Sequence, residues 1–265
     1  MNEESELGQA AIPSVQSEET AQRSRHALLR SFDLIQVINL KERNDRRKDI
    51  EKEFERIGLS FDHPQIAFLE ASRFENRNNF ATTGARGCFD SHLRAMETAR
   101  DVGARTTLIL EDDCDFARNF VSLLPNVLES LSRTDWSIFY GGHLGWNGEA
   151  DAESLISLAN PKHGILGAHM MGWTAEAISL ALPYLKAMRE RPAGSHEGGP
   201  MHVDGAYNWF RRSHPHLQTW VASPALAYQR PSKTDIHRLR MFDTILGLRS
   251  LTAYARRCWR PLTRR

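Results

Sequence analysis

Residues 107–115 read Thr107-Leu108-Ile109-Leu110-Glu111-Asp112-Asp113-Cys114-Asp115. Leu108, Ile109 and Leu110 form a short apolar run that suits a strand buried on both faces of a sheet. Glu111, Asp112 and Asp113 follow at once. Three carboxylates where such a strand ends cannot all enter an apolar core. They also repel one another unless a cation sits among them. In open α/β sheets, ligands bind just beyond the carboxyl ends of the strands. The stretch therefore has two readings. One is a divalent-metal site where an anionic substrate meets the sheet edge; the other is a solvated acidic turn.

The neighbouring segments favour an α/β sheet around this strand. Leu34 to Leu40 is rich in β-branched residues and reads as a strand. Asn44 or Asp45 can cap the helix that follows, whose buried stripe is Ile50, Phe54 and Ile57. Arg43, Arg46 and Arg47 crowd the start of that helix, where the dipole disfavours cations unless an anion is present. A phosphate or nucleotide contact is one reading of them, and a solvated helix start is the other. Phe61 to Glu70 reads as a weaker strand broken by Pro64, and Ala71 to Thr83 as a polar loop. Gly84 opens a helix whose face carries Cys88, His92, Ala95, Met96 and Ala99. His92 there suits a satisfied core histidine as well as a ligand. Ser91 lies off the stripe, where a hydroxyl can meet a ligand.

Beyond Asp115, helix is expected from Asn119 to Leu131 and a strand from Trp136 to Tyr140. His143 to His163 has no clean period and reads as an excursion. Ile165 to Met171 reads as one strand, leading to a helix from Thr174 to Met188. Arg191 to Met201 reads as a glycine- and proline-rich loop, after which Asp204 opens another helix. Leu217 to Tyr228 reads as one or two strands around Pro224. Strands alternating with helices predict a doubly wound, mainly parallel sheet.

Composition bounds the alternatives. Lys plus Arg is 34 against 33 for Asp plus Glu in 265 residues, so nothing global points to nucleic acid. Cys88, Cys114 and Cys258 are scattered and lack metal-ligand spacing, which suits a reducing compartment. No apolar run is long enough to cross a membrane, and the acidic start lacks the apolar segment of a secretory signal. A cytoplasmic protein is expected. Three regions follow: a disordered leader over 1–30, one domain over 31–237, and a basic amphipathic tail over 238–265. The tail interleaves arginines with Phe242, Ile245, Leu246 and Leu251, so it suits an anionic membrane surface, such as the inner membrane, or an ordinary helix with a charged face.

Three motifs then fall into a recognisable order. They are Val37-Ile38-Asn39-Leu40 with Arg43 and Arg46, Gly84-Ala85-Arg86-Gly87-Cys88-Phe89-Asp90-Ser91-His92, and Leu108-Ile109-Leu110-Glu111-Asp112-Asp113. Together they resemble glycosyltransferase family 25, whose bacterial members build lipooligosaccharide and whose animal relatives galactosylate collagen. The likeness runs from Leu34 to Ile236, and Pro231 to Ile236 resembles the family's Ser-x-Ile ending. The resemblance implies a GT-A fold, a Rossmann-like sandwich. It also implies an inverting transferase that uses a UDP-sugar, often UDP-galactose, with Mn²⁺ or Mg²⁺. Asn39, Leu40, Arg43, Arg46, Ser91 and His92 would then face the donor.

On a strand, residues 111 and 113 share a face. Glu111 and Asp113 are therefore expected at the metal, and Asp112 at the nucleotide ribose. By analogy with GT-A enzymes, His237 would complete the metal site. An inverting displacement also needs a base on the acceptor hydroxyl. Asp204 is the candidate, with an N-cap as its alternative role; Glu197 and His169 are reserves. Trp173 and Trp209 could stack on sugar rings or pack in the core. The expected acceptor is lipooligosaccharide or another membrane-anchored glycoconjugate. Two further enzyme readings are a nucleotidyltransferase and a metal-dependent phosphohydrolase, though the chain lacks the Asp-x-Asp-x-Thr nucleophile motif. A non-catalytic carbohydrate-binding protein on a degenerate transferase fold is the reading from outside enzymology.

Overall fold

Alternation along the central strands sends side chains into two cores, one on each face of a single sheet. β3 (Thr106–Glu111) shows the division: Ile109 joins one core, while Leu108 and Leu110 join the other. The computed structural model describes residues 15–230 apart from 147 and 149–152. The tail and His237 lie outside the described residues.

β1 (Leu34–Asn39) pairs in parallel with β2 (Ile66–Glu70) on one side and with β3 on the other. β5 (Trp136–Gly142) and β10 (Gln218–Ala222) continue the sheet in the same direction. β9 (Met170–Thr174) runs the opposite way between β3 and β5. β7 (Ile156–Leu158) is antiparallel at the far edge. The expected α/β sandwich with a mainly parallel sheet is what forms, with β9 as the reversed strand in its middle. β4 (Cys114–Phe116) returns from the acidic turn and pairs with β11 (Ala227–Gln229).

Helices α1 (Val15–Ser31), α2 (Asn44–Glu55) and α4 (Phe120–Ser132) cover one face. On the other lie α3 (Thr83–Asp101), α5 (Ala175–Glu190) and α6 (Val203–Ser213). The leader expected over 1–30 is helical from Val15 on, and residues 1–14 lie outside the described residues. α1 packs on α4: Leu28 is buried and the Ser24 hydroxyl donates to the Val121 carbonyl. Tertiary burial of one apolar side thus outweighs the polar composition that suggested disorder.

Ile165 to Met171 is not one strand. β8 (Ile165–Leu166) pairs with β6 (Gly145–Trp146) in a separate ribbon, and the chain turns at Gly167, whose φ is 88°. A left-handed backbone there favours glycine. The cap expected from Asn44 or Asp45 is also absent. Asn44 is already helical, and Asp45 instead receives the Arg43 guanidinium at 2.8 and 2.9 Å.

Candidate functional site

The parallel register brings the carboxyl ends of β1 and β3 side by side, with Ile38 opposite Glu111. A cavity of about 250 Å³ opens beyond those ends. Its walls include Leu40, Arg46, Arg73, Cys88 and His92, with Glu111, Asp112 and Asp113 at the strand tip. The segments 38–46, 84–92 and 108–113 therefore converge on one space.

The three adjacent carboxylates have three different surroundings. β3 stops at Glu111, so strand alternation does not continue through Asp113. Asp112 is tied inward: Arg46 donates to one of its oxygens at 2.7 Å and Asn39 Nδ2 to the other at 2.8 Å. Its backbone N–H also donates to the Ile38 carbonyl. These bonds form a lock between β1, α2 and the acidic turn at the residue expected to meet the ribose. Arg46, expected at a phosphate, and Asn39, expected at the donor, serve the same lock.

Glu111 accepts from His92 Nε2 at 3.2 Å and lies 3.5 Å from the Cys88 thiol. Burial pushes its pKa up, but the His92 hydrogen bond and charge outweigh that and leave it below its usual value. Asp113 is different. Burial first, then the negative charge of Glu111, pushes its pKa up to about 7. Arg46 also reaches Asp113 at 3.4 Å, but its closer contact is Asp112. The outcome follows the stronger effects, burial and like charge. Asp113 Oδ1 is buried and has no hydrogen-bond partner among the described residues.

α3 supplies the opposite wall through two pairs at four-residue spacing. Gly87 and Ser91 face the loop after β2. A Cβ on Gly87 would sit 2.4 Å from the Ser72 carbonyl oxygen. Ser91 donates to the Gly87 carbonyl at 2.6 Å and accepts from the Ser72 N–H at 2.8 Å. Its hydroxyl, expected at a ligand, therefore clamps the loop. Cys88 and His92 face Glu111, and Tyr207 of α6 meets His92 Nδ1 at 2.9 Å. His92 is both a satisfied buried histidine and part of the cavity wall.

A family model described as glycosyltransferase family 25 (LPS biosynthesis protein) matches residues 32–160, the stretch that contains all three motifs. Residues 32–160 thus carry the likeness to glycosyltransferase family 25 that the motifs suggested. Over 148 residues it is 30% identical to a glycosyltransferase 25 family member of Drosophila pseudoobscura pseudoobscura, covering 48% of this chain and 24% of that protein. Over 168 residues it is 32% identical to procollagen galactosyltransferase 2 of Mus musculus, covering 56% and 26%. The chain thus spans about a quarter of the length of these relatives. It is also similar to the crystal structure of a glycosyltransferase involved in glycosylation of the major capsid of PBCV-1, with TM-score 0.47 and 11% identity over 76% of this chain and 95% of that one.

Asp204, beyond the matched stretch, stands in the first turn of α6. Its Oδ2 accepts from the Gly167 N–H at 3.2 Å and its Oδ1 from the Gly205 N–H at 2.7 Å. It does not line the cavity, but its charge reaches Cys88. Asn208 and Arg211 continue the same side of α6. Asn208 brackets Ile165 through its N–H and carbonyl, and Arg211 binds the His163 and Asn160 carbonyls. His169 is fully buried against the Ala227 carbonyl. Trp173 is core, while Trp209 is half-buried.

Of the expected site residues, Asn39 and Asp204 lie outside the cavity lining, and so do Arg43 and Glu197. Arg43 turns to Asp45, a partner within its own helix start. Glu197 is 77% exposed and pairs with Arg191. Conversely, Arg73, Phe74 and Thr83 line the cavity without having been singled out. They sit in the polar stretch after β2, and Arg73 beside Phe74 was the signal there.

Proposed function

We propose that the chain is a metal-dependent, inverting glycosyltransferase that moves a sugar from a UDP-sugar to a saccharide acceptor. The observation that carries this is Asp113. It is a buried carboxylate at a strand's carboxyl end, with one oxygen unpartnered among the described residues, in the lining of a cavity edged with arginine. An ionised carboxylate in that setting is unfavourable without a cation.

The donor set fits a hard divalent ion, because the groups at the strand tip are carboxylate oxygens. Glu111 and Asp113 would hold Mn²⁺ or Mg²⁺, which when bound offsets the charge of a leaving diphosphate. The remaining steps belong to this chain's residues. Arg46 and Asn39 fix Asp112 and so fix the turn that presents Asp113. Arg73, largely exposed at the cavity wall, is the cation free to move toward a phosphate, at the expense of its pairing with Glu42. Leu40 supplies an apolar wall for the nucleotide. Asp204 takes the proton of the acceptor hydroxyl, releasing its hold on Gly167 as it does so.

Galactose is the sugar we propose first, because a mouse relative is named a procollagen galactosyltransferase. The acceptor is a lipooligosaccharide or another glycoconjugate, following the family description. A cytoplasmic enzyme held on an anionic membrane surface by its basic tail completes the proposal. Among the described residues, no helix is long and apolar enough to cross a membrane. A screen of nucleotide-sugars for Mn²⁺- or Mg²⁺-dependent release of the nucleotide tests the reaction. Turnover of a UDP-sugar that stops on chelation is expected. Metal-independent turnover, or no turnover with any UDP-sugar and acceptor, contradicts it.

A further inference from the structure

Cys88, His92 and Glu111 form a second kind of donor set in the cavity wall. Among the described residues, these three offer ligand atoms that lie within 4.8 Å of one another. Two of the separations are 3.2 Å, from His92 Nε2 to Glu111 Oε1, and 3.5 Å, from Cys88 Sγ to the same oxygen. A tetrahedral ion with ordinary zinc bond lengths needs ligand edges of about 3.3 Å between nitrogen and oxygen and about 3.5 Å between sulfur and oxygen. The side chains already stand at those edges. All three line the cavity, so an ion has a route in and space for a further ligand.

The surroundings favour metal binding by the imidazole. Tyr207 Oη meets His92 Nδ1 at 2.9 Å. A hydroxyl can donate to that nitrogen or accept from it. It therefore serves the tautomer in which Nε2 donates to Glu111, and equally the tautomer in which Nε2 is bare and can bind an ion. A partner on the far ring nitrogen fixes the orientation of a ligating histidine.

We propose that Cys88, His92 and Glu111 bind Zn²⁺, and that this occupancy inhibits the enzyme by taking Glu111 from the catalytic cation. Sulfur and imidazole select zinc over Mn²⁺ or Mg²⁺, which prefer the oxygens of Asp113. Glu111 is shared, so the two occupancies compete. The inhibition rests on the glycosyltransferase reading; the binding does not.

The test uses the metal-free full-length chain. Added Co²⁺ should give a saturable sulfur-to-cobalt charge-transfer band in the near ultraviolet, and Zn²⁺ should displace it. Cys88→Ser should abolish the band, Cys114→Ser should keep it, and Tyr207→Phe should weaken binding about tenfold. A folded wild-type chain without the band, or a band that survives Cys88→Ser, overturns the site. Should Cys88→Ser fail to fold, alkylation of wild-type Cys88 followed by mass spectrometry decides. Zn²⁺ should slow that alkylation severalfold and Mg²⁺ should not; equal rates overturn the proposal. With binding established, Zn²⁺ should lower the transfer rate at saturating Mn²⁺, and that inhibition should be lost in Cys88→Ser. An unaltered rate overturns the competition while leaving the binding result intact.

Discussion

Asp112 and Asp113 are adjacent in sequence and have opposite surroundings. Asp112 has both oxygens occupied by Arg46 and Asn39. Asp113 keeps one buried oxygen without a partner among the described residues and has a raised pKa. The first is a structural lock; the second is the carboxylate proposed to hold a cation. The difference shows that an acidic motif can divide its labour by which residue the neighbouring strand and helix bind, rather than by pleat alone. On the far side of the sheet, α6 poses the same contrast. Asn208 and Arg211 hold a loop, and Asp204 holds the end of that loop while remaining half-exposed.

The contrast can be broken experimentally. Arg46→Ala leaves Asp112 buried without its closest cation, and removing one partner of a buried pair costs about 3–5 kcal/mol. We expect that loss in chemical denaturation; a loss under about 1 kcal/mol would remove the lock. Asp204→Asn should keep donor hydrolysis and slow transfer to acceptor at least about 10²-fold, the span of general-base catalysis. Unchanged transfer would leave Asp204 with a loop-holding role alone.

Asp113 also makes a statement about pH. Its pKa is raised from 3.8 to about 7 on folding, so its contribution to stability is complete below pH 4 and is lost as pH rises through 7. In metal-free protein, Asp113→Asn should therefore be more stable than wild type at pH 8, with the gap closing by pH 4. Thermal unfolding at the two pH values checks this, and a gap independent of pH would refute the buried-carboxylate reading. The smallest effect concerns the α3 clamp. Gly87→Ala brings a methyl against the Ser72 carbonyl and should cost about 1–2 kcal/mol. No change in the melting transition would mean that the loop after β2 yields freely.

Much of this was legible in the sequence. β1, β3, β5 and α3 follow from apolar period and turn chemistry, and the three motifs do meet at the carboxyl ends of β1 and β3. What eluded the sequence was long-range partnering. Asp112 meets Arg46 across 66 residues, and Ser91 meets Ser72 across 19. Local period cannot reveal which carboxylate a distant guanidinium will take. The split at Gly167 was hidden because the apolar run on either side is continuous, while its left-handed backbone shows only in the fold. The family resemblance placed the site, and its inner division came from hydrogen bonds.

Asp113, not Asp112, is the proposed holder of the catalytic cation. Mn²⁺ affinity, measured by paramagnetic resonance in the presence of UDP, tests it in wild type, Asp113→Asn and Asp112→Asn, each shown to be folded. Asp113→Asn should weaken Mn²⁺ at least about tenfold more than Asp112→Asn. Equal affinities in wild type and Asp113→Asn would exclude Asp113 as a metal ligand.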